Sequence, residues 1–174
     1  GCMLVRRDAL LRAGGLGAIA HAIIDDCALG REMKSEGPIR LTLTRRSVSI
    51  RPYGGWREIG GMIARSAYAQ LGYSPLLLAG TLAGMALLYL APPLFALFGG
   101  GTTRLLGLAA WLAMALIFQP MLRFYHRSPL WGVALPAIGA FYGATTLVSA
   151  VRHWQGRGGM WKGRAQSELE REKR

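Results

Sequence analysis

A chain of 174 residues that is 52% hydrophobic, with 21 Lys and Arg against nine acids, is too apolar and too basic for an ordinary soluble domain, and membrane is the class it indicates. The formal charge of +12 divides into +5 over residues 1–74, +3 over 75–151 and +4 over 152–174, and basic flanks suit the cytoplasmic face of a bilayer. The cations are scattered beside lipid-length segments rather than gathered with stacking aromatics, which argues against nucleic-acid binding. Cys2 and Cys27, with no Cys-x-x-Cys and no His-rich set, give neither a disulfide framework nor a zinc site.

In chain order, Arg7 to Arg12 are helix formers, and Gly14-Gly15 offers a left-handed stop just beyond them. A second helix is predicted over residues 19–33, with Asp25 and Asp26 in its interior or at its start and Leu29 and Met33 on one face; Gly37-Pro38 closes it. Ile39, Leu41 and Leu43 then alternate with Arg40, Thr42 and Thr44, and Val48 and Ile50 repeat the pattern, which predicts one or two strands and an α/β polar part. At about 74 residues that part would build only a marginal core, and with no initiator Met and no targeting segment the chain reads as a piece of a longer protein.

Trp56, Ile59, Ile63, Ala67 and Leu71 recur every three to four residues with Arg57, Glu58, Arg65 and Gln70 between them, the pattern of an interfacial amphipathic helix over 56–74. Three apolar stretches follow, 76–98, 105–121 and 129–151, each near the roughly 20 residues that cross hydrocarbon. Pro92-Pro93 should break or kink the first. Three full spans would place the basic tail, 152–174, opposite the polar part, so either one stretch is re-entrant, with that holding Pro92-Pro93 the first choice, or the tail is an exception to the positive-inside rule.

Chemistry centres on Asp25-Asp26, two adjacent carboxylates in a chain with no acid between Glu58 and Glu168. One reading is a solvated helix start, where carboxylates cap orphan N–H groups and suit the dipole. The other is a general base with an orienting neighbour. His21, four residues earlier, could share a helical face with Asp25 but reads as a packed or solvated His, and Gly99-Gly100-Gly101 lacks the Lys of a phosphate cradle.

The order Gly14-Gly15, then Asp25-Asp26-x-x-Leu29-Gly30, resembles the acceptor-side half of inverting family-two glycosyltransferases, where Glu-Asp-x-x-Leu is usual. Arg51-Pro52-Tyr53, the run Ala64-Arg65-Ser66-Ala67-Tyr68-Ala69-Gln70-Leu71-Gly72-Tyr73-Ser74-Pro75 and the late Gly156-Arg157-Gly158-Gly159-Met160-Trp161-Lys162-Gly163-Arg164 are similar to the hopene-associated glycosyltransferases of bacterial hopanoid clusters. The resemblance implies residues 1–55 as the C-terminal part of an α/β nucleotide-sugar domain, 56–74 as the interfacial helix, 75–151 as two or three membrane helices and 152–174 as a basic tail. It also implies sugar transfer from a nucleotide-sugar donor to a hopanoid or polyprenoid-like hydroxyl, with inversion.

On that resemblance Asp26 is the base and Asp25 its neighbour, while Arg65, Tyr68, Gln70 and Tyr73 face the acceptor lipid and Trp161, Lys162 and Arg164 reach donor or lipid phosphates. The family's Gln-x-x-Arg-Trp is not kept, since Ala69-Gln70-Leu71-Gly72-Tyr73 lacks the Arg. A divalent cation, Mg or Mn, is implied, with its main ligands outside this chain, because no Asp-x-Asp occurs in it. The implied location is a bacterial inner membrane with the polar part cytoplasmic. The competing reading is a non-catalytic assembly or scaffold subunit whose helices pack through Gly and Ala.

Overall fold

The computed structural model describes residues 3–20, 22, 24–48, 50 and 53–158, and the chain divides into two compact units, Gly1–Tyr53 and Gly54–Arg174. Cys2, His21, Arg51-Pro52, Trp161, Lys162 and Arg164 lie outside the described residues.

The first unit contains α1 (Arg7–Arg12), a 3-10 turn (Leu16–Ile19) and α2 (Asp25–Glu36). Helix α1 ends where Gly14, at φ +86, takes the left-handed conformation that L side chains resist, and the Gly14 and Gly15 N–H groups close back on the Leu11 and Leu10 carbonyls. Ile19, Leu29 and Met33 are buried, packed by Val5, Ala9, Leu10, Ala13 and Ala28. Arg12 Nε donates to Glu36 Oε2 at 2.8 Å and ties α1 to the end of α2.

The α/β expectation is corrected here: the described residues contain helices and no strand. Residues 38–48 run as irregular backbone, and Leu41 and Ile50 are fully exposed, with Ile39, Leu43 and Val48 more than half exposed. Alternation is necessary for a half-buried strand but does not make one, because every strand hydrogen bond needs a neighbouring strand and none is present among the described residues.

The second unit opens with α3 (Trp56–Gln70), turns through 71–74, and enters a continuous helical stretch built from α4 (Pro75–Met85), a π-helical turn (Ala86–Leu90) and α5 (Ala91–Phe98). Pro75 sits at the first helical position, where no N–H is needed, and Ser74 Oγ accepts the Leu77 N–H. Pro92-Pro93 does not break the helix. The chain widens one turn earlier, where the Ala91 N–H reaches back five residues to the Ala86 carbonyl, and the prolines then occupy the first turn of α5.

Helix α6 (Gly101–Phe124) follows the hairpin at Gly99-Gly100, then α7 (Leu130–Val133) and α8 (Leu135–Trp154). Pro75–Phe98 and Gly101–Phe124 are each 24 residues long with mean hydropathy 1.8 and 1.9, long and apolar enough to cross a membrane. Only 6% and 17% of their apolar windows are buried, whereas the core helix of a soluble protein is mostly enclosed by its own chain. Their outward Leu and Phe side chains suit association with a membrane.

Glycines set the helix contacts. A Cβ on Gly107 would stand 2.5 Å from the Ala96 nitrogen, one on Gly132 2.8 Å from the Ala115 carbonyl oxygen, and one on Gly139 2.6 Å from Tyr89 Cγ. Trp111 Nε1 donates to the Val133 carbonyl and Gln119 Nε2 to the Pro129 carbonyl, which fastens α7 along α6. Helix α3 lies along α8 in the same direction, with Trp56 against Phe141 at one end and Tyr68 beside Ser149 and His153 at the other.

Candidate functional site

Helix α2 begins after Ile24, whose side chain cannot cap, so the first-turn carboxylates serve the orphan N–H groups themselves. Asp25 Oδ1 accepts the Asp26 N–H at 3.0 Å, and Asp26 Oδ1 accepts the Cys27 N–H at 2.8 Å. Both aspartates are exposed, and the positive end of the helix dipole favours their charge. Among the described residues neither makes an ion pair, and the second oxygen of each accepts no bond, which leaves Oδ2 of each available to a proton donor from solvent.

What holds this display in place is the opposite face of α2. Leu29 and Met33 lie one turn and two turns beyond Asp25-Asp26 and are buried against Ile19, so the helix start is anchored while its acids remain in water. Cys27, adjacent, is an exposed free thiol position. No group of three or more His, Cys, Asp or Glu side chains able to hold a metal occurs among the described residues.

The four residues proposed to face an acceptor have different surroundings. Tyr68 is 1% exposed; its hydroxyl donates to the Tyr73 carbonyl at 2.8 Å, and Ser149 Oγ accepts its backbone N–H at 3.0 Å. Its ring sits edge-on to Tyr73, His153 and Trp154 at centroid distances of 5.6, 5.4 and 5.8 Å. That satisfies Tyr68 as a packing residue and leaves no face of it for a ligand.

Tyr73 holds a left-handed backbone at φ +57 and stacks on His153 at 4.3 Å and 19°. Gln70 is exposed and Arg65 half-exposed. The structure thus joins Tyr68 and Tyr73 to His153 and Trp154, two residues at the end of α8 that the motif pattern did not connect with them. The sequence signal was weak: a His-Trp pair directly after an apolar stretch marks a membrane boundary without naming its partner.

Comparison with protein families, curated proteins and solved structures finds no match for this chain.

Proposed function

We propose that the chain is the acceptor-side and membrane-bound portion of an inverting glycosyltransferase, in which Asp26 removes the proton from a lipid hydroxyl as it attacks the anomeric carbon of a nucleotide-sugar. The observation that carries the reading is the display of two adjacent, solvent-facing carboxylates on an anchored helix start, in a chain that also has two helices suited to a bilayer. The resemblance of Asp25-Asp26-x-x-Leu29 to inverting family-two glycosyltransferases supports the same assignment. The acceptor would be a hopanoid or polyprenoid-like alcohol, and the membrane a bacterial inner one with the first unit cytoplasmic.

A general base needs a free lone pair within hydrogen-bond reach of the hydroxyl, and Asp26 Oδ2 accepts no hydrogen bond among the described residues. Asp25, bonded to the Asp26 N–H, orients that peptide and adds negative potential that favours the proton's departure from the acceptor. Attack forms the new C–O bond as the bond from the anomeric carbon to the diphosphate breaks, and the proton passes to Asp26. Donor and cation would be held by residues outside this chain, and no step here runs through the cation.

A second reading rests on the same two hydrogen bonds: carboxylates that close on their own helix start serve as a cap in a non-catalytic membrane subunit. The test is transfer of radiolabelled sugar from a panel of nucleotide-sugars to a lipid extract by membranes containing the full-length protein, wild type against Asp26→Asn. Loss of transfer with membrane insertion and donor binding retained supports the base. Equal turnover removes Asp26 from that role and leaves the cap.

A further inference from the structure

The contacts within the second unit fix how deep each segment runs, and the depths disagree with three parallel crossings. At about 1.5 Å per residue from Pro75, Leu78 lies about 5 Å, Tyr89 about 21 Å and Ala96 about 32 Å from the Ser74 end. Helix α6 returns: Gly107 packs at the level of Ala96, which puts Trp111 at about 26 Å and Gln119 at about 14 Å. The chain after α6 stays on this side of the bundle. Pro129 bonds to Gln119, Gly132 rests on Ala115, and Val133 accepts from Trp111, so residues 129–133 descend beside α6.

Helix α8 then climbs back. Gly139 touches Tyr89 at about 21 Å, Ala150 is enclosed with Leu78 and Tyr68 at about 5 Å, and His153 stacks on Tyr73 at the Ser74 end itself. Residues 129–154 therefore enter and leave by one face. The joint between α7 and α8, at Ala134 just before Pro136, is the deepest point, level with Trp111 and short of the hairpin at Gly99-Gly100.

The two faces differ in charge. At the Ser74 end stand Arg123, His126, Arg127, Arg152, His153 and Arg157; at the opposite end stands Arg104, whose Nε donates to the Ala96 carbonyl at 3.2 Å. The sequence holds no acid between Glu58 and Glu168. Four arginines against one is the asymmetry that orients short loops toward the cytoplasm, where the leaflet is anionic.

We propose that α4–α8 form a two-crossing unit with a re-entrant hairpin at 129–154, whose Arg123, Arg127, Arg152 and Arg157 face docks on the anionic phospholipid headgroups of the cytoplasmic leaflet. The proposal is independent of sugar transfer: it concerns where the chain meets lipid, and it holds or fails whatever Asp26 does. It also removes the parity conflict in the sequence, because the turn just before α4, at Tyr73, and the end of α8, at His153, share a side.

The test uses single-cysteine variants Gly100→Cys, Ser128→Cys and Gln155→Cys of the whole chain with Cys2→Ser and Cys27→Ser. Each is exposed to a membrane-impermeant maleimide in intact cells and in sealed inverted vesicles. The expected result is labelling of 128 and 155 only in inverted vesicles and of 100 only in cells. Labelling of 155 together with 100 means a third crossing and overturns the hairpin; labelling of 128 and 155 from outside overturns the assignment of the basic face.

The headgroup arm compares phosphatidylglycerol retained through purification, read by native mass spectrometry, for wild type and an Arg123→Gln, Arg127→Gln, Arg152→Gln, Arg157→Gln variant whose helicity is checked by circular dichroism. A several-fold loss of retained phosphatidylglycerol, with phosphatidylethanolamine unchanged, is expected. Equal retention by a variant of wild-type helicity overturns the docking. If that variant loses helicity, wild type reconstituted with and without phosphatidylglycerol replaces it, and equal thermal stability in both overturns the docking as well.

Discussion

Replacing Gly107 by Ala should separate the α5–α6 hairpin. The added Cβ would sit 2.5 Å from the Ala96 nitrogen and 2.8 Å from the carbonyl carbon and Cβ of Phe95, all backbone or backbone-proximal atoms that no rotamer change can withdraw. Carbon contacts are comfortable at about 3.5–4.0 Å, so the helices must part by roughly 1 Å, and the connection at Gly99-Gly100 is too short to absorb that without disturbing the Arg104 bond to the Ala96 carbonyl. Overpacking of this kind costs about 1–3 kcal/mol, and the rigidity of the obstructing atoms argues for the upper part of that range.

The comparison is Gly84→Ala on α4, where a Cβ meets nothing within 4 Å. There the gain from removing a helical glycine, about 0.5–1 kcal/mol, is unopposed. Reversible unfolding in mixed micelles titrated with denaturing detergent should place the two variants on opposite sides of wild type, roughly 3 kcal/mol apart. If Gly107→Ala is as stable as Gly84→Ala, the close approach of α5 and α6 is wrong.

Gly139→Ala should cost about 1–3 kcal/mol through Tyr89, and most of that cost should vanish in a Tyr89→Ala background, a coupling that a double-mutant cycle measures directly. Gln119→Leu removes the donor to the Pro129 carbonyl and should lower stability by about 1 kcal/mol and raise protease cleavage near residues 126–129. Glu36→Gln should cost less than about 1 kcal/mol, an effect that shrinks in salt, because its Arg12 partner is 60% exposed and water screens the pair; an unfolding midpoint that ignores ionic strength would count against the bridge.

The elements legible in the sequence are those whose signal is local. Helix α1 with its Gly14 stop, α3 from Trp56 and the apolar stretches 76–98 and 105–121 each declare themselves within one window of side chains, since helical hydrogen bonds close within the segment. Residues 39–50 show the opposite case. Their alternation is real, yet a strand exists only when a second segment supplies its hydrogen bonds, and the pattern carries no information about that partner.

The path of 129–154 was hidden for a related reason. Its hydropathy resembles a crossing, while its depth is set by Gly132, Gly139 and Gln119 meeting residues on α6 and the π-helical turn. The enclosed state of Tyr68 likewise depends on Ser149, 81 residues away.

For Asp25-Asp26 the sequence gives a position but two explanations, and magnitude separates them. Asn at position 26 keeps an oxygen for the Cys27 N–H and loses only charge at the dipole, so a pure cap predicts a change under about 1 kcal/mol and a reaction rate within a few-fold of wild type. Removal of a general base lowers rate by about 10²–10⁴-fold. Asp25→Asn is the sharper control, since it leaves the Asp26 lone pair in place, keeps an oxygen for the Asp26 N–H and removes only the neighbouring charge. A base at 26 with a supporting neighbour requires the loss at 26 to exceed the loss at 25 by at least about tenfold, while two equivalent caps require the variants to match in both stability and rate.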